Sequence, residues 1–249
     1  MSNVNPKYDT VTETSTEFPT KELADARRSM FQNDLLDATE KYVEVMTKFT
    51  PMNSSEAENM KYSAQRMAKA LSDMILPKEA MVYELRHILK DAFPVALPNS
   101  SVLNLENRTP LVLSQSPIRA NSLCPHHFLP VQYTVFVAVK INTGTNDGSS
   151  VFGLSKYSRA VQVLAKRPVL QEQFARDIVE LFTASMIGGT EYVDVCTVSG
   201  CMVVVSGVHG CMSCRGIESD TPTQTCYSAG MDANEQQLAW NLYNGRERN

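Results

Sequence analysis

Apolar residues recur at helical spacing over the first third of the chain and at strand spacing through much of the rest. Leu35, Leu36, Tyr42, Val43, Met46 and Phe49 follow a period near 3.6, which predicts an amphipathic helix ended by Pro51. Ser55 and Glu58 have capping-box spacing, and Met60, Ala64, Met67, Ala68, Leu71 and Ile75 form the stripe of a second helix closed by Pro77. A short third helix is predicted around residues 81–89. The period then changes. Val131, Tyr133, Val135, Val137 and Val139 alternate with other residues, which predicts a strand over 131–141. Residues 101–113 have strand composition, 142–150 are turn-rich, and 193–208 form a very apolar strand-like run. Helices are expected over 155–166, with Ser155 at its start, and after Pro168, where Phe174, Ile178, Leu181, Phe182 and Met186 share a face. Gly188-Gly189 is expected to end the latter, and residues 236–243 suit a final short helix.

This order predicts an α+β fold. A flexible polar tail is expected over 1–20, an N-terminal helical region over 21–92, and a domain of mainly antiparallel strands with packed helices over 93–249.

Composition narrows the function classes. The chain has 249 residues, 43% hydrophobic and 20% charged, the balance of a globular protein with a sizeable core. A net charge of −4 gives no whole-chain basic field for nucleic acid, so any anion site must be local. No apolar run approaches the roughly 20 residues that span a bilayer, and residues 1–20 hold no signal-peptide core. The expectation is a cytoplasmic protein with no membrane or nucleic-acid partner. Six cysteines then read as thiols or metal ligands.

Candidate chemistry lies in two short stretches. Cys124-Pro125-His126-His127 sets one thiol and two imidazoles in four residues, and His209-Gly210-Cys211-Met212-Ser213-Cys214-Arg215-Gly216 follows late in the chain. Cysteine and neutral histidine are the usual zinc ligands, and a catalytic site supplies three and leaves one position open. Cys124, His127 and Cys211 would make such a set. A C-x2-H pair alone is more often incidental, and Cys211 with Cys214 has the spacing of a redox pair or of half a structural zinc site. Three of the four histidines lie in these stretches, so His126 and His209 become candidates for proton transfer near neutral pH. Gly153-Leu154-Ser155-Lys156-Tyr157-Ser158-Arg159 puts two cations on one face at a helix start, where phosphate can bind; a solvated basic face is the plainer reading of that segment alone. Gln171 and Glu172 begin the next helix. They can read a purine edge, although a first-turn glutamate needs no function.

The ordered set resembles the GTP cyclohydrolase I family. Ser122-Leu123-Cys124-Pro125-His126-His127 is similar to its S-x-C-E-H-H element. Gly153-Leu154-Ser155-Lys156 with Arg159 resembles G-L-S-K-x-x-R. Arg167-Pro168 with Gln171-Glu172 resembles R-P-x-x-Q-E, and His209-x-Cys211 with Arg215-Gly216 resembles H-x-C-x-x-x-R-G. Upstream, residues 64–69 resemble the T-P-x-R-x-A-K helix. The resemblance implies the tunnelling fold, with subunits closing an oligomeric barrel, usually a homodecamer with active sites between subunits. It implies zinc held by Cys124, His127 and Cys211, with His126 and His209 moving protons. It implies triphosphate contacts from Ser155, Lys156, Arg159, Arg215 and a neighbouring subunit's Arg66. Glu172 would hold the guanine, with Gln171 near the ribose and the reacting ring. The implied reaction opens GTP at C8, releases formate and rearranges the product to 7,8-dihydroneopterin triphosphate. That pterin feeds folate, biopterin or 7-deazaguanine synthesis.

The chain departs from the pattern at Pro125, where the family has Glu, and at the added thiol Cys214. Residues 190–200 look extended, which predicts an extra strand or hairpin. Two competing readings are a tunnelling-fold nitrile reductase of 7-deazaguanine metabolism, which would use a nucleophilic Cys and NADPH, and a zinc-stabilised oligomeric scaffold without catalysis.

Overall fold

The structure is a computed structural model that describes residues 18–51, 53–95, 111–113, 117–141, 149–184, 186–187, 190–191, 198–213 and 223–246. The expected tail, Cys214, Arg215 and residues 192–197 therefore lie outside the described residues, apart from 18–20.

Helices lead the chain. Helix α1 (Lys21–Phe49) starts at Thr20, whose hydroxyl accepts from the Leu23 amide. The predicted second helix is two helices, α2 (Ser54–Asn59) and α3 (Ser63–Met74), interrupted at residues 60–62. Its capping box uses Asn53 and Glu56 rather than Ser55 and Glu58: each side chain accepts from the other residue's backbone amide. Asparagine is as strong an N-cap as serine and stands two residues nearer Pro51, so it takes the position first. Small residues let α3 lie close on α1, and buried Thr39 donates to the Ala64 carbonyl at 3.1 Å. Helix α4 (Lys78–Leu89) begins directly after Pro77, three residues earlier than expected, and buries Met81, Val82, Leu85, Ile88 and Leu89. Arg28 of α1 pairs with Glu84 of α4.

The central sheet is antiparallel. Strands β1 (Phe93–Val95), β2 (Leu111–Leu113), β3 (Ile118–Leu123), β4 (Pro130–Ile141) and β5 (Ser149–Val151) come first, then helices α5 (Leu154–Ala165) and α6 (Gln171–Ala184). Strands β6 (Met186–Ile187) and β7 (Thr190–Glu191) form a small pair that meets part of the expectation of an added hairpin near 190–200. Strand β8 (Val198–His209), the single turn α7 (Gly210–Ser213), strand β9 (Thr223–Ala229) and helix α8 (Ala233–Arg246) complete the chain. The main sheet has four positions: β2 and β3 share one edge of β4, followed by β8 and β9. Strands β1 and β5 pair separately.

Alternation along β4 and β8 feeds two cores. Tyr133, Val135, Val137, Val139, Val203 and Val205 join the core formed with α4, α5 and α6. Phe136, Ala138, Met202 and Val204 point the other way and join Met231 and Ala239, with Trp240 and Tyr243 of α8 packed against them. Burial on both faces explains the unbroken apolar run from Val135 to Val139. Asp232 caps α8 with 2.8 and 2.9 Å hydrogen bonds from Asn234 and Glu235, and Lys140 pairs with Glu235 at 2.8 Å.

A buried polar knot joins β3 to α6. Ser122, fully buried, donates to the Arg167 carbonyl at 2.6 Å, and the Val169 amide donates to the Leu123 carbonyl at 3.3 Å. The Arg167 guanidinium pairs with fully buried Asp177, which also accepts from Gln173 at 2.6 Å. Removing one partner would strand a buried charge. Asp177→Ala is therefore expected to lower unfolding free energy by about 3 kcal/mol, read from urea denaturation.

Candidate metal centre and active site

Three strand ends meet at one end of the sheet. The register sets Leu123, the last residue of β3, opposite Pro130, and Val131 opposite His209, the last residue of β8. The turn from β3 to β4 therefore carries Cys124, His126 and His127 to the place where β8 delivers His209 and, one turn later, Cys211. This turn closes through the Phe128 amide donating to the Cys124 carbonyl at 2.8 Å and the Cys124 amide donating to Leu129 at 2.9 Å. Pro125 opens the turn at a position that needs no amide donor, and its fixed φ suits the bend, which accounts for proline there. Phe128 sits at φ 52 and is 62% exposed. A left-handed aromatic residue costs on the order of 1 kcal/mol, held here by the two flanking hydrogen bonds.

Cys124, His209 and Cys211 bring one ligand atom each to within 4.8 Å of one another. Both thiols are buried and His209 is half-buried. Two soft sulfurs and an imidazole nitrogen in a partly enclosed place suit zinc. The group does not include His127, yet His127 Nδ1 stands 3.7 Å from Cys124 Sγ. Zinc bound tetrahedrally would separate its sulfur and nitrogen ligands by about 3.5 Å, given bonds near 2.3 and 2.0 Å. His126 is exposed, with its ring edge-on to His127 at 6.1 Å.

The first turn of α6 frames the other side. Gln171 is 4% exposed. The two hydrogens of its amide nitrogen are shared among the Val205 carbonyl (3.0 Å), the Thr223 carbonyl (2.9 Å) and the Thr225 hydroxyl (3.1 Å). Its oxygen accepts from the Thr223 hydroxyl at 3.0 Å and faces His209 Nε2 at 3.4 Å. Glu172 is exposed. Burial pushes the His209 pKa below its ordinary 6.5, and the Glu172 carboxylate opposes that shift. Tyr133, stacked on Phe174 at 5.0 Å, meets His209 edge-on at 6.1 Å and donates to Val169 at 3.1 Å. Burial raises its pKa, with Cys124 and Glu172 adding to the rise.

The expected phosphate cations lie elsewhere in the chain. Helix α5 runs beside β3 in the same sense, since Gln162 donates to the Arg119 carbonyl and Ser122 reaches Arg167 past the helix end. Ser155 stands ten residues before Ala165, about 15 Å along the axis from the end near Cys124. Ser155 and Arg159 are exposed, and Lys156 donates to the Asp91 carbonyl. Gly153, not Ser155, is the N-cap, because the helix starts one residue sooner. Arg66 lies exposed on α3. The structure thus gathers Cys124, His127, His209, Cys211, Gln171 and Glu172, and sets Ser155, Lys156 and Arg159 towards the other end of α5.

Sequence reasoning missed Gly207, Thr223, Thr225 and Tyr133. A Cβ on Gly207 would lie 2.3 Å from Gln171 Oε1 and 3.1 Å from His209 Nε2, so only glycine admits their contact. A glycine inside an apolar strand run was the available signal. The T-x-T-x-Y alternation of β9 was the signal for the threonines.

An antiparallel sheet with cysteine and histidine donors gathered at the end of its central strands defines a metal-centre protein of the α+β class. A family profile described as GTP cyclohydrolase I matches residues 38–244, and the chain belongs to that family. It is 38% identical over 96 residues to GTP cyclohydrolase 1 of Clostridium perfringens (strain 13 / Type A), covering 39% of this chain and 43% of the relative. It is 38% identical over 112 residues to the Bacillus subtilis (strain 168) protein of the same name, covering 45% and 50%. A Clostridium kluyveri GTP cyclohydrolase 1 is 27% identical over 215 residues, 86% of this chain and 97% of the relative. The chain spans about half the length of the first two relatives. No described helix is long and apolar enough to cross a membrane.

Two outcomes follow from this geometry. Gly207→Ala is expected to cost about 1–3 kcal/mol in stability by wedging Gln171 from His209, measured by thermal or urea unfolding. In metal-free protein the unfolded chain takes up a proton at His209 before the folded chain does. Stability should therefore fall as pH drops through 6.5 towards the lowered folded value. Thermal unfolding of His209→Gln against pH should show a shallower fall in that window.

Proposed function

We propose that the protein hydrolyses GTP at C8, releases formate and rearranges the product to 7,8-dihydroneopterin triphosphate. The observation that carries this reading is the convergence of Cys124, Cys211 and His209 at the β4–β8 end, in a chain of the GTP cyclohydrolase I family. Cys124, His127 and Cys211 would hold zinc, the 3.7 Å sulfur–nitrogen spacing supporting His127 as the nitrogen ligand. Zinc, when bound, supplies a Lewis acid and an open position for water.

The chain's own groups do the rest. Burial favours the neutral form of His209, the form that can accept a proton, and His126 is exposed beside His127. The electrostatic influence of the Glu172 carboxylate on both His209 and Tyr133 supports a place for it at the site, where it would accept paired N–H bonds from guanine. Gln171 belongs beside the reacting ring. Ser155, Lys156, Arg159 and Arg66 would take the triphosphate, with Arg215 beyond the described residues. Fixed cations orient a substrate through several steps.

Assembly completes the site in this reading. The start of α5 stands about a helix length from Cys124, so its cations would serve the metal centre of another copy. The outer edges of β3 and β9 have no strand partner among the described residues, and joining them would close the tunnelling-fold barrel as a homodecamer. GTP is a cytoplasmic nucleotide, and the cytoplasm is the compartment implied.

Zinc-loaded protein given GTP should release formate and yield a fluorescent pterin after oxidation; full zinc without turnover would sink the proposal. His127→Ala should lose zinc, measured by metal analysis after dialysis. His209→Ala should keep zinc and lose turnover by about 100-fold or more. The reverse pattern would make His209 the third ligand.

A further inference from the structure

We infer that Gln171, anchored by Thr223 and Thr225, is a positioning residue that fixes the His209 imidazole with its hydrogen on Nε2 and its basic lone pair on Nδ1. This rests on the reading of His209 as a proton-transfer group, and it names the atom that would do the work.

The argument begins at the amide nitrogen. Two of its acceptors are the Val205 and Thr223 backbone carbonyls, at 3.0 and 2.9 Å. Carbonyl oxygens only accept, so a flipped amide would set its own oxygen against two others. The nitrogen end is therefore assigned by chemistry, and the Thr225 hydroxyl at 3.1 Å adds a third contact. The oxygen end must then face Thr223 Oγ1 at 3.0 Å and His209 Nε2 at 3.4 Å. An amide oxygen cannot donate. Nε2 must carry the hydrogen, since otherwise two lone pairs would oppose each other in a buried place. The ring's remaining lone pair lies on Nδ1.

Among the described residues, the surroundings favour this arrangement. Gly207 provides the space, its missing Cβ being the atom that would collide with the Gln171 oxygen and crowd the His209 ring. Tyr133 packs edge-on to the imidazole while its hydroxyl donates to Val169, away from His209. The choice of amide over carboxylate also has a physical meaning. A glutamate here would accept the same hydrogen but would stabilise imidazolium, whereas a neutral amide sets the tautomer and leaves the ring free to gain and lose a proton. Strand β9 contributes through Thr223 and Thr225, which gives it a part in the site through hydrogen bonds to Gln171.

Solid-state NMR of full-length, metal-free protein labelled with 15N-histidine tests this in mildly alkaline buffer, with the His209 signals assigned by their loss in His209→Gln. The wild type should show the Nε2–H form alone. Gln171→Leu and the milder Thr223→Val should each show a mixture of Nε2–H and Nδ1–H forms. In the zinc-loaded enzyme both should lower kcat, Gln171→Leu by about tenfold or more, with KM for GTP little changed. An Nδ1–H form in the wild type, or an unchanged tautomer in both variants, would overturn the inference. A raised KM at unchanged kcat would also overturn it, making Gln171 a substrate contact. A wild type that does not turn over GTP would defeat the proposed activity, while the NMR arms would still decide the tautomer.

Discussion

The pairing of β4 with β8 is the constraint on which the rest of the molecule depends. It runs in register from Val131 opposite His209 to Val139 opposite Cys201. A slip of one residue would turn every side chain of β4 to the other face. Such a slip would point Tyr133 and Val135 at α8 and drive Thr134 into the core under α5 and α6. Two differently shaped cores thus hold one register. The same register decides which residues stand at the sheet's end, so the burial of valines sets the position of His209 relative to Cys124.

A second layer of control comes from polar groups. Ser122, Arg167, Gln173 and Asp177 satisfy one another in the crevice between β3 and α6. Buried ion pairs add little net stability compared with apolar packing, but they discriminate strongly against wrong geometry. Cys124 lies two residues from one end of this knot, and Gln171 four residues from another. The metal-side turn and the glutamine that meets His209 are consequently fixed to each other through the interior as well as through the sheet. Apolar contacts determine that the layers meet; these hydrogen bonds determine at what offset.

Much of this was legible from residue patterns where burial is one-dimensional. The valine alternation of β4, the apolar run of β8 and the stripes of α5 and α6 each answer to a single periodicity, and each element was found. What escaped depends on partners distant in sequence. Strand β9 carries Thr, Gln, Cys, Tyr and Ser, and takes its identity from pairing with β8 rather than from apolar composition. The break at residues 60–62 leaves no mark in the apolar spacing, which continues through it. Cys124 and Cys211 could be matched by motif, but the nearness of His209 to both sulfurs is a fact of register. Gly207 and Gln171 are thirty-six residues apart in sequence, and only the fold shows that one exists to admit the other.

The direction of α5 carries a consequence for how activity would respond to concentration. Its basic start stands about a helix length from the thiol-bearing turn, so on the proposed reading a lone subunit holds no whole site. Dilution that separates the copies would extinguish turnover. Two differently damaged chains, one lacking Cys124 and one lacking Lys156, could rescue each other when mixed, because each still carries the half the other has lost. Catalysis would then belong to the junctions between copies, and the single chain would be a component of an enzyme rather than a small enzyme in itself.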